Sequence, residues 1–430
     1  MNSTKIFHKN FLILIAGQII SLLGNSLQRF ALSLYILDIT GSAAIFSIIL
    51  SICILPQIIL APFGGAIADR FNKKKILIIL DLASALVLIL FLLISNYKSP
   101  MLILIGILMC LLATIQSIYE PSVRACIPAI VSTSNLTAAN SVVSEISAIT
   151  TLLGPIAAGF LYGSFGIDII FILNIISFLC SAGIECFLIL PNGTKGLENN
   201  AFLTFVNDIK ESMSYMIHKQ RLIFYMVLLS SAFNLFLTPI YTVGIPYIEK
   251  ILFGVSDELY GISEGCIGLG MITGALLVNI LAKKFPLSKI HYYFVVLVLL
   301  IVGMGFTTLP FLHHTGSVPY MAYIIFTMIS FLFAACLANI NIIFMTFLQV
   351  ETPPSMMGKI MALVASLATA FMPIGQIIFG ALYEYLSANA YIIYVIVAII
   401  SLAATYFIHH LVNSNLFISS KTKELLSTNN

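Results

Sequence analysis

Apolar runs of about 20 residues, long enough to cross the hydrocarbon core of a bilayer as a helix, recur along the whole chain between short polar stretches. Marking them predicts twelve spanning helices, at residues 11–37, 43–63, 76–95, 101–119, 138–162, 167–190, 221–247, 258–282, 288–311, 319–348, 359–384 and 390–412. Turn formers punctuate them: Thr40-Gly41-Ser42, residues 96–100 and 163–166, Pro286, residues 316–319 and Pro353-Pro354. The one long polar interval, residues 191–220, divides the chain into two six-helix halves. The expected organisation is a first bundle at 1–190, a linker at 191–220, a second bundle at 221–412 and a tail at 413–430. Within the linker, Phe202, Phe205, Val206, Ile209, Met213 and Met216 recur near helical spacing, which predicts an amphipathic helix over 202–218.

Composition agrees with this pattern. The chain has 430 residues, 60% hydrophobic and 9% charged, with a mean hydropathy of +1.08, more apolar sequence than a soluble core needs. Of the 20 lysines and arginines, all but Arg29, Lys98 and Lys250 fall on the side that carries the N-terminus. By the positive-inside rule both termini are cytoplasmic, in a multi-pass protein of the cell membrane. The opening residues, MNSTKIFHKN, are like a signal peptide, yet no small-residue cleavage site follows, so the first helix is expected to be retained. Seven cysteines lie in or beside apolar runs, without a C-x-x-C or a histidine spacing suited to a metal, so reduced packing residues and no metal or cofactor are expected. No H-E-x-x-H or paired intramembrane aspartates point to an enzyme. The charges serve topology, and no nucleic-acid partner is expected.

The most informative stretch is residues 64–75, GGAIADRFNKKK, a basic hinge between the second and third apolar runs. Gly64 and Gly65 allow close helix approach, Asp69 can accept hydrogen bonds from a helix N-terminus, and Arg70, Lys73, Lys74 and Lys75 hold the turn on the cytoplasmic side. The stretch resembles the major facilitator superfamily signature between helices 2 and 3, G-x-L-a-D-r-x-G-r-r, on which Gly65, Ile67, Asp69, Arg70, Lys73 and Lys74 fall. Asn72 stands for the second glycine and suits a left-handed turn. The resemblance implies that Asp69 meets the start of helix 11, announced by Pro353, Pro354 and Gly358, and that Lys73 pairs with Glu120 at the end of helix 4. In helix 5, residues 153–159 (LGPIAAG) resemble the superfamily's antiporter signature, with Gly154, Pro155 and Gly159 in place and Ala158 for one glycine. Proline bends such a helix, and small residues admit a close neighbour. Residues 31–37, 40–42, 171–174 with Phe178, and 352–359 are similar to the macrolide-efflux-type branch. Two internal echoes support paired halves: residues 61–71 (APFGGAIADRF) with 275–285 (ALLVNILAKKF), and 159–162 (GFLY) with 380–383 (GALY). The fold so implied is an all-α membrane protein with twelve transmembrane helices in two pseudo-symmetric six-helix bundles.

Charges inside a bilayer are costly and usually face a cavity or a partner. Those inside the predicted spans, away from their first and last few residues, are Arg29, Asp81, Glu145, Glu185 and Glu264. Asp81 lies less than two turns from Lys75 and Glu185 near the exit of helix 6, so both read as solvated interfacial groups in preference to a role in transport. Glu145 and Glu264 remain as proton-carrier candidates. Arg29 and Glu264 sit at similar depths from the outer ends of helices 1 and 8; either they meet, or Arg29 turns outward or bonds within its own bundle. Because helices 1, 4, 7 and 10 line the cavity of this superfamily, the resemblance implies Asn25, Gln28, Asn234, Asn339 and Asn341 as substrate-pathway candidates, against ordinary interhelical hydrogen bonding. The function it implies is proton-driven efflux of amphipathic or drug-like small molecules by alternating access, by a monomer. An uptake symporter or a non-transporting sensor of the same fold is the alternative.

Overall fold

The computed structural model describes residues 8–95, 100–132, 135–190, 201–284, 289–312, 319–353 and 356–412, without the side chains of 61–70, 201–208, 279–284, 362 and 411–412. Among these residues there are helices, turns and no strand. The first half comprises α1 Lys9–Thr40, α2 Ala43–Arg70, α3 Lys73–Ser95, α4 Met101–Ile130, α5 Leu136–Phe165 and α6 Ile167–Glu185. The linker helix is α7 Ala201–His218. There follow α8 Arg221–Phe236, α9 Ile245–Tyr247, α10 Asp257–Lys284, α11 His291–Thr307, α12 Tyr320–Glu351, α13 Met357–Ala370, α14 Met372–Tyr385 and α15 Tyr391–Val412. Counting α8 through Leu252 and α13–α14 as continuous rods, 11 helices among the described residues are long and apolar enough to span a membrane, and α11 is a shorter apolar helix.

Local chemistry explains the boundaries. Gly41 takes a left-handed conformation (φ 60°) and donates its N–H to Leu37, closing α1, as Gly166 (φ 77°) closes α5 onto Tyr162. Asn72 does not adopt the left-handed turn expected of it, for no residue other than glycine has positive φ among those described. Its Oδ1 instead accepts the Lys75 N–H at 3.2 Å and caps α3. Helix α4 runs on to Ile130, past the predicted end at 119, through Pro121 and Pro128. The predicted helix 7 is interrupted after Pro239 by a π turn, Ile240–Gly244, and α9, with its Pro246, runs beyond the predicted end into another, Ile248–Leu252. Each proline lacks the N–H that the regular ladder needs. Helix 11 is likewise broken at Phe371, just before Pro373.

The chain divides into two compact units. The first is Met1–Gly41, Ile49–Ala201 and Ser256–Gly265. Within it α1 packs along α6 and α5, and α3 along α6 and α4. The opening of α10 joins this unit against α5, where both helices are reduced to backbone. A Cβ at Gly159 would stand 2.6 Å from the Asp257 carbonyl oxygen and 3.1 Å from the Gly261 Cα, and one at Gly261 would stand 2.7 Å from the Pro155 oxygen. Small residues are what let helices approach this closely. The second unit is Ser42–Ile48, Phe202–Val255 and Cys266–Asn430. There α11 packs between α15 and α12, α8 lies on α13 and α14, and α7 is tied to the first turn of α13 by Lys359 and Glu211 at 2.7 Å. Gly380 of α14 abuts Ser47 and the Ala43 carbonyl at the opening of α2. The echoed tetrapeptides GFLY and GALY therefore mark the same kind of glycine contact in each unit.

Candidate functional site

The first unit buries a polar line along α1 and α6. On α6, Asn174, Ser177, Ser181 and Glu185 follow one another at intervals of three or four residues and share a face. At one end, Asn174 donates an amide hydrogen to Gln28 of α1, and Ser177 donates to Asn174, with Oγ 2.9 Å from Asn174 Oδ1. Ser181 continues the line, its hydroxyl 3.3 Å from the Gly17 carbonyl and also within reach of Asp81 of α3. At the other end, the Tyr119 hydroxyl of α4 donates to Glu185 Oε1 at 3.0 Å, and the Gln18 amide donates to Tyr119 at 3.0 Å. Asp81 and Glu185 are 1% and 0% exposed.

This overturns their reading as solvated interfacial groups. Sequence distance from Lys75 says how far along α3 Asp81 lies, not what covers it. Each surrounding element places a buried apolar side chain about one turn away: Leu14 before Gln18, Leu77 before Asp81, Val123 after Tyr119 and Leu188 just past the end of α6. The three- and four-residue spacing on α6 was the available signal. A further buried acid, Glu249 in the second π turn, lies just past the predicted end of helix 7 and escaped the sequence reading.

The other candidates are scattered. Gly65, Asp69 and Arg70 fall in α2, where side chains lie outside those described, as does Pro354 before α13. Lys73 opens α3 beside Cys126. The expected Lys73–Glu120 pair is not formed: with α4 continuing to Ile130, Glu120 lies 4.0 Å from Arg124, one turn on. Gly154 of α5 abuts Ser26 of α1, whose hydroxyl donates to the Thr150 carbonyl at 3.2 Å, next to Pro155. Arg29 and Glu145 are exposed, and Asn25 is half-buried. Glu264 accepts from Tyr260 of its own helix at 3.2 Å, and no ion pair joins it to Arg29 among the described residues. Gln28 is engaged inside the bundle by Asn174. In the second unit, Asn339 donates to the Gly274 and Ala335 carbonyls, Asn234 bonds Ser230 and Thr238 on its own element, and Asn341 is exposed.

Comparison with known proteins adds the family. Macrolide efflux protein A of Streptococcus pyogenes is 21% identical over 377 residues, which span 87% of this chain and 89% of that protein. An uncharacterised MFS-type transporter of Bacillus subtilis (strain 168), YfiS, is 25% identical over 386 residues, 89% of this chain and 88% of its own. A bacterial homologue of the iron transporter ferroportin, solved in an inward-facing state, shares the fold with a TM-score of 0.73 at 15% identity, across 95% of this chain and 100% of its own. The sequence model of the Major Facilitator Superfamily matches residues 14–372, so the chain belongs to that family of membrane transporters and is not an enzyme.

Proposed function

We propose that the protein exports amphipathic, drug-like small molecules across the cell membrane, driven by protons, as a monomer with both termini in the cytoplasm. The observation that carries this reading is the macrolide efflux protein of Streptococcus pyogenes, whose similarity runs through both six-helix halves rather than one motif. Burial of Asp81 and Glu185 within the spans supports coupling to an ion, because ionisable groups inside a membrane commonly mark ion or substrate pathways. The distribution of basic residues supports the orientation.

The test is accumulation of a radiolabelled macrolide in cells with and without the protein. Cells that make it should hold several-fold less, and a proton uncoupler should erase the difference. Equal accumulation in the two strains for a panel of amphipathic compounds would count against export, and higher accumulation in the producing strain would point to uptake.

A further inference from the structure

Asp81 and Glu185 belong to neither signature by which the family is recognised, yet they are the least solvent-exposed acids of the first unit among the described residues. Each leaves one carboxylate oxygen, Asp81 Oδ2 and Glu185 Oε2, without a hydrogen-bond partner among the described residues. They are joined through α6, where Ser181, one turn before Glu185 on the same face, reaches Asp81, and the Tyr119 hydroxyl donates to Glu185. Around them α1 brings Gln18, α4 brings Tyr119 and Cys126, and α6 brings Ser181. The charged groups of α3 on this side are Lys73, beside Cys126, and Lys74, whose ammonium donates to the Cys186 carbonyl at 2.6 Å. Glu145 of α5 is exposed. Among the described residues no basic side chain forms an ion pair with either acid.

Two carboxylates sealed from water in one cluster, with no cation paired to either, are costly to keep charged together. A metal cation would relieve them only with about six oxygen ligands, and this cluster turns donors inward instead. Gln18 donates its amide N–H to Tyr119, whose own hydrogen is directed at Glu185. A proton needs no such cage. We propose that Asp81 and Glu185 share one exchangeable proton and form the site at which this chain binds its coupling ion. The inference rests on the proton-driven reading above and locates it in the first unit. The apolar turn of Leu14, Leu77, Val123 and Leu188 seals one side of the pair. The polar line through Ser181 and Ser177 to Asn174 and Gln28 leads away on the other, about 16 Å for the eleven residues from Glu185 to Asn174.

Infrared difference spectroscopy of the purified protein in lipid nanodiscs tests this, with carbon-labelled aspartate or glutamate to assign bands. Near neutral pH a protonated-carboxyl C=O band should be present and should disappear on alkalinisation. The isosteric double variant Asp81→Asn/Glu185→Gln should lack it, and Tyr119→Phe, which removes the donor to Glu185, should shift its frequency. Sodium or magnesium should leave it unchanged. A band that survives the double variant, a frequency unaltered by Tyr119→Phe, or displacement of the band by either cation would overturn the proposal. Should the double variant fail to fold, Tyr119→Phe decides alone. The measurement requires no transported compound, so loss of the export reading would appear as absent efflux with the band intact.

Discussion

Gln28 and Asn174 illustrate how one residue type serves either transport or packing according to what faces it. Inside the first unit the Asn174 amide donates to Gln28 and Ser177 donates to Asn174, with Gly24 leaving the room between α1 and α6 that a Cβ would fill. Gln28→Leu leaves a buried amide N–H unmet and should cost about 1–3 kcal/mol. Adding Asn174→Leu removes both partners, so the double variant should lose less than the two single losses combined. Thermal-shift measurements in detergent check this. If Gln28→Leu leaves stability unchanged and abolishes efflux, Gln28 faces a transported molecule after all.

Helices in this protein meet at glycines, and the contacts differ sharply from one glycine to the next. Gly159 and Gly261 bring α5 and α10 to backbone distance, whereas Gly106 and Gly183 would place a Cβ in open space. Gly159→Val should therefore lower stability by about 1–3 kcal/mol through overpacking against rigid backbone. Gly183→Ala in α6 should be neutral or stabilising by up to about 1 kcal/mol, since alanine is the better helix former. The two variants measured together separate packing from propensity; equal losses at both sites would contradict the contact geometry. Gly380 in the GALY echo predicts the same sensitivity as Gly159, because it abuts the Ala43 carbonyl at the opening of α2.

For the whole molecule the membrane sets the sidedness. A basic majority on the side of the N-terminus predicts that α7 and the short connections of that side face the cytoplasm. In a cysteine-free background, Lys219→Cys should resist an impermeant maleimide on intact cells and react after permeabilisation. Asn389→Cys, between α14 and α15, should react from outside. Labelling in the opposite sense at both positions would invert the topology and the direction assigned to transport with it.

The order of the helices and the rough extent of most, α4 excepted, were legible in the sequence because the bilayer imposes them: each span must satisfy its backbone internally and needs an apolar run to do so. Motif residues such as Gly159 could be recognised for the same reason, since a glycine beside a proline in a spanning helix has few uses other than close approach. Departures arose where chemistry along one helix depends on its neighbours. Asn72 could turn or cap, and only the position of the Lys75 N–H selected capping. Glu120 could reach Lys73 or Arg124, and the continuation of α4 past Pro121 selected Arg124. Asp81 and Glu185 could be solvated or buried at the same distance from a helix end. What the sequence alone determined is the periodic part, set by one solvent and one chain. What only the tertiary structure decided is which polar groups are sealed together, because burial belongs to the four helices α1, α3, α4 and α6 that surround them and to no single one.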